Sequence, residues 1–157
     1  MTTTSETLPA LEESIEIDAP PARVWSLVTD LSRMSDRSPQ VVRTVVQGGP
    51  VRLGTRTFNV NRRGLLFWPT RAKVVRFEPH SDFAFRIKDN FVIWSFALEP
   101  TANGGTRVTH RRETPDGISG VSQFLTRIAL GGQQSFGVEL HDGMRRTLAA
   151  LKADAEA

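Results

Sequence analysis

The stretch TRVTHRRET, residues 106–114, sets one imidazole among threonine, valine and arginine. Period-two alternation puts Thr106, Val108, His110 and Arg112 on one face of a strand. Imidazole, with an ordinary pKa of about 6.5, can accept, donate or move a proton near neutrality. A guanidinium two residues along the same face can hold a carbonyl, phenol or carboxylate. Glu113 has the opposite parity, so no nucleophile–base–orienter triad is legible around His110. The chain contains no cysteine and no tyrosine, which excludes thiol chemistry and disulfides and removes one common acid. His80, His110 and His141 show no close metal-ligand spacing, so neither a metal nor a cofactor is expected.

The elements that would position His110 follow from two periods. ESIEIDAP alternates as a half-buried strand, with Ile15 and Ile17 on one side. Asp18 is a candidate helix cap, and Pro20–Pro21 suits a first helical turn. Val24, Leu27, Val28 and Leu31 then recur at helical spacing. From Val41 the period becomes two, and six strands follow, separated by short turn signals such as GGP, RRG, KDN and TANGG. Pro69 and the Val74–Val75 pair mark an edge or a bulge in the third of these. Beyond TPDG the helical period returns. Phe124, Ile128, Gly132, Phe136, Leu140, Met144 and Leu148 lie four apart, one stripe on a helix of roughly 45 Å. Gly131–Gly132 reads equally as a break between helices or as a kink or gate within one.

Length and charge bound the rest. The 157 residues fit one domain over residues 11–157, with a polar, flexible tail over residues 1–10. No apolar run approaches the ~20 residues of a membrane span, and the N-terminus lacks signal-peptide character, so a cytoplasmic location is the default expectation. No signature of an oligomeric state is present. The net charge of +3 is uneven: −4 over residues 1–40, +9 over 41–112 and −2 over 113–157. A basic sheet could attract nucleic acid, acidic lipid headgroups or an acidic ligand. The expected reading is plainer: Arg43, Arg71, Lys73, Arg107 and Arg111 face outward by parity and pair with acids elsewhere. No nucleic-acid motif is present, and no nucleic-acid partner is expected.

In combination, several segments resemble the START-like (SRPBCC) superfamily, in its polyketide cyclase/dehydrase and lipid-transport group. They are IEIDAPPARVWSLVTDLSRM, SPQV, VVRFEP with FAFR, WSFALEPTANGGTRVTH and the closing stripe ending TLAALKADAE. The resemblance covers about residues 12 to 155. Arg37 stands where relatives often have tryptophan. The resemblance implies an α+β helix-grip fold: a curved seven-stranded antiparallel sheet wrapped around a long C-terminal helix, with short N-terminal helices. It also implies a cavity between sheet and helix for an apolar small-molecule ligand.

With the large apolar face of each strand turned inward, the cavity wall would comprise Phe58, Val60, Phe85, Trp94, Phe96 and Val108. The helix would add Phe124, Ile128, Phe136 and Leu140, and Met34 would sit near the mouth. The family hairpin turns Thr106 and Val108 inward, so His110 and Arg112 should follow, with Asn59 or Thr70 as further polar contacts. Two functions are expected from this: binding of a hydrophobic or amphipathic lipid- or polyketide-like molecule, and, as the alternative, a polyketide cyclase/dehydrase using His110. Binding without chemistry is the main expectation.

Overall fold

A computed structural model of the chain describes residues 10–115 and 133–157, with side chains from 138 onward in the second segment. Strand β1 (Leu11–Ile17) leads to helix α1 (Pro21–Val28), a 3-10 turn (Leu31–Arg33) and helix α2 (Met34–Arg37). Six strands follow: β2 (Val41–Val46), β3 (Arg56–Arg63), β4 (Leu66–Glu78), β5 (Asp82–Ile87), β6 (Ile93–Pro100) and β7 (Thr106–Glu113). Helix α3 (Gln133–Glu156) closes the chain. The strands form one curved antiparallel sheet in the order β1-β7-β6-β5-β4-β3-β2. β2 to β7 are a meander, and the N-terminal helices carry the chain from one sheet edge to the other. This is the expected α+β helix-grip architecture.

Local chemistry explains the boundaries. Pro21 opens α1, where a missing N–H costs little. Asp18 does not cap it: its backbone N–H donates to the Glu156 carboxylate at 3.0 Å, tying β1 to the last turn of α3. The expected bulge appears in β4, where the register against β5 shifts between Val74 and Arg76. The turn before β7 requires Gly105, because a Cβ there would lie 2.7 Å from the Ile17 carbonyl oxygen of β1.

The core lies where α1 and the C-terminal half of α3 cover the sheet. Ile17, Val24, Trp25, Phe83, Phe96 and Val108 meet Leu148 and Leu151 of the helical stripe there. Trp25, Phe77 and Phe83 contact one another edge-on, with ring centroids 5.2–6.2 Å apart. Arg37 is buried beside this core, clamped by the Asp154 carboxylate at 3.0 Å and the Leu27 carbonyl at 2.8 Å. It pins α2 to α1 and α3. The expectations for the tail over residues 1–10, residue 10 aside, and for Gly131–Gly132 lie outside the described residues.

The basic block is paired in part: Arg71, Arg107 and Arg111 meet acids as expected, whereas no described carboxylate pairs with Arg43 or Lys73, which the same expectation covered. Arg107 and Arg111 meet Glu16 and Glu12 of β1 at 2.9 and 3.4 Å, and Arg76 meets both Asp82 and Glu113. Arg71 reaches Asp89, and Arg63 reaches Glu139 of α3 at 2.7 Å. Among the described residues no helix is long and apolar enough to cross a membrane.

Candidate functional site

Along β7 the inward face runs Thr106, Val108, His110, Arg112. Thr106 hydroxyl donates to the Ala19 carbonyl at 2.8 Å, and Val108 is fully buried in the core. His110 is buried where the core ends, and Arg112 is half-buried one step further out. The β6 register sets Leu98, Phe96 and Trp94 directly across from Val108, His110 and Arg112. The His110 ring stacks on Phe96, with centroids 4.1 Å apart and planes 10° from parallel, and lies 5.5 Å from the Trp94 ring. The Arg112 guanidinium lies 6.0 Å from the Trp94 centroid.

The electrostatics of the imidazole follow from this setting. Nδ1 lies 2.9 Å from the Ser95 carbonyl oxygen. A carbonyl can only accept, so Nδ1 carries the proton and Nε2 keeps a lone pair. Burial pushes the His110 pKa down to about 4, against the smaller upward pull of the Ser95 carbonyl, so the ring is neutral at pH 7. Burial likewise lowers Arg112 to about 10, which leaves it cationic at pH 7. The pair offers one neutral acceptor beside one fixed cation, against two aromatic rings.

The register adds a group the sequence reading left out. Glu13 of β1 stands directly opposite His110, on the same sheet face. Its parity with Ile15 and Ile17 was the available signal. Glu113, the only carboxylate weighed from the sequence, is on the opposite face; the carboxylate that shares the His110 face is Glu13. Glu13 is engaged elsewhere, by His141 Nδ1 at 2.8 Å and Arg145 at 3.1 Å, both on α3.

The inward set also changes on β3. Asn59 pairs with Thr70 and Thr44 across the sheet, and Thr57 pairs with Ala72; these alternate residues are buried. Phe58 and Val60 therefore face the other way, and Phe58 is 39% exposed. Placing both on the cavity wall was wrong, because the large-residue-inward rule does not hold on this strand. The inner side carries a polar layer instead. Thr44 hydroxyl donates to Asn59 Oδ1 at 2.9 Å, and Asn61 Nδ2 donates to Thr70 Oγ1 at 2.9 Å.

The remaining candidates are placed as follows. Phe85 pairs with Trp94 on the inner face and packs at the core margin, as does Met34 of α2. Leu140 is buried on α3. Phe124 and Ile128 lie outside the described residues, and so does the side chain of Phe136. Among the described residues no group of three or more histidines or carboxylates is arranged to hold a metal ion.

The comparisons follow the fold. The model of the family described as polyketide cyclase / dehydrase and lipid transport matches residues 9–156. No curated protein matches the chain. Among solved structures, the polyketide-cyclase-like protein Cgl2372 from Corynebacterium glutamicum is 26% identical, with a TM-score of 0.58, over 91% of this chain and 88% of that one. The Zhui aromatase/cyclase from Streptomyces sp. R1128 is 12% identical, with a TM-score of 0.68, over 94% and 93% of the two chains. The di-domain aromatase/cyclase BexL, from the BE-7585A biosynthetic pathway, is 16% identical, with a TM-score of 0.68. There 95% of this chain covers 50% of BexL. The likeness to Zhui and BexL is one of fold.

Proposed function

The chain belongs to the polyketide cyclase / dehydrase and lipid transport family, and from that premise we propose that it binds a hydrophobic or amphipathic small molecule, lipid- or polyketide-like, between the inner sheet face and α3. The observation that carries this reading is the His110 site. A neutral imidazole, stacked on Phe96 and with Nε2 as acceptor, sits beside the half-buried Arg112 on an aromatic wall. Aromatic rings supply apolar contact, and a few polar groups orient the ligand. Nε2 would accept from a hydroxyl or enol, and Arg112 would donate to a carbonyl or carboxylate oxygen. The polar layer of Thr44, Asn59 and Thr70 would face a second polar edge of the ligand.

Native mass spectrometry of the purified chain should show a copurified apolar molecule or uptake of an added aromatic phenol. The phenol should bind better than its methyl ether, and His110→Phe should abolish that preference. A chain that retains no ligand and takes up neither probe would overturn the reading.

Cyclase-type proton transfer by His110 is the second reading, favoured by one free ring nitrogen at a buried site. A base whose conjugate acid has a pKa of about 4 is weak for abstracting a carbon-bound proton. Binding therefore ranks first. Turnover of a poly-β-ketone that His110→Ala abolishes would reverse the order.

A further inference from the structure

The tip and outer face of the basic β3–β4 hairpin play no part in the ligand site, which takes only the inward Asn59 and Thr70 from it. Residues 56–73, RTFNVNRRGLLFWPTRAK, contain five cationic side chains and no acidic one. At the apex, Leu65 is 93%, Leu66 46% and Phe67 54% exposed. Arg62 lies with its guanidinium 5.3 Å from the Phe67 ring centroid, holding cation and aromatic ring together at the surface. No described carboxylate pairs with Arg43, Arg56, Arg62 or Lys73 of the same three-stranded half-sheet. Arg63 instead anchors the hairpin to α3 through Glu139.

We propose that this hairpin tip docks the protein on anionic lipid bilayers, with Leu65, Leu66 and Phe67 entering the interfacial zone and Arg62 lying at the headgroup phosphates. Two features favour a bilayer over a protein partner. The apolar side chains sit on a projecting turn rather than in a groove. Three residues at one turn also cannot supply the ~800 Å² per partner of an ordinary protein interface. A bilayer needs no complementary surface. It rewards each buried apolar side chain, and each cation close to an anionic leaflet adds to the attraction.

The absence of cysteine makes the test clean. Leu65→Cys, labelled with an environment-sensitive dye, should shift to the blue with phosphatidylglycerol-containing vesicles and not with pure phosphatidylcholine. Labelled Leu53→Cys is the control. Leu53 is 63% exposed in the turn at the opposite end of β3, and its dye should not shift. In co-sedimentation, Leu65→Ser with Leu66→Ser should weaken partitioning at least about tenfold. Arg62→Glu, which leaves Leu65, Leu66 and Phe67 in the chain, should weaken it in low salt, and 1 M salt should weaken the wild type. No binding to anionic vesicles, equal binding to neutral ones, or equal shifts at positions 65 and 53 would overturn the proposal.

Discussion

Between β5 and β7 the bulky side chains point into the molecule: Phe83, Phe85, Trp94, Phe96 and Val108 share the inner face with His110. Between β2 and β4 the arrangement reverses. Val45, Phe58 and Phe67 are exposed, while Thr44, Thr57, Asn59 and Thr70 are buried. One sheet therefore presents an aromatic half and an amide–hydroxyl half to the same interior. The reversal is tolerable because the buried polar groups bond one another, so little hydrogen bonding is lost. Inward direction is set by register and enclosure, not by the size of the side chain.

The sharpest way to break this contrast is to truncate one phenylalanine from each half. Phe83→Ala, which removes the fully buried ring of the aromatic cluster, should cost about 3–5 kcal/mol in urea unfolding. Phe58→Ala should cost under about 1 kcal/mol. Equal losses would mean that both point inward.

Acid should next distinguish the halves. The folded pKa of His110 is held below its unfolded value, so the unfolded chain binds the proton more readily. Its contribution is complete above about pH 6.5 and is lost as pH falls towards about 4, a change of roughly 3 kcal/mol. Arg112, Glu13, and His141 and Arg145 from α3 are the charged or titratable groups nearest this strip. The polar layer of Thr44, Thr57, Asn59 and Thr70 has none. Unfolding free energies at pH 7, 5.5 and 4 should therefore converge more slowly to zero in His110→Gln than in the wild type.

Among the buried groups, the smallest effect belongs to the polar layer. Asn59→Ala strips Thr44 of its acceptor and should cost about 1–2 kcal/mol. Adding Thr44→Val should restore part of that loss. A cycle showing no coupling would mean that the layer is only a set of neighbours.

Much of this was legible along single strands. The period of β7 placed Val108, His110 and Arg112 together, and the Val74–Val75 irregularity marked the bulge. The outward arginines were readable in the same way, although not their partners on β1. Phe58 and Val60 depart from the expectation because side-chain size does not decide which way a strand residue faces. Glu13 was passed over because its meeting with His110 joins strands nearly 100 residues apart, and no local pattern reports such a register. The Ser95 carbonyl that sets the imidazole tautomer is backbone, and no side-chain pattern announces it.

The clasp of the N-terminal segment, β1 through α1, on α3 also bears on how fast the fold can form. Asp18 with Glu156, Arg23 with Ala155, and Glu13 with His141 join residues 128 to 138 positions apart. Contacts of that span require nearly the whole chain to be gathered before they contribute, and such topologies fold slowly. The meander from β2 to β7 can zip locally, but its inner face stays uncovered until the last helix arrives. The interval between those two events is when the apolar strip of β5 to β7 lies open, and it is the period in which nascent copies of this chain are most prone to stick to one another.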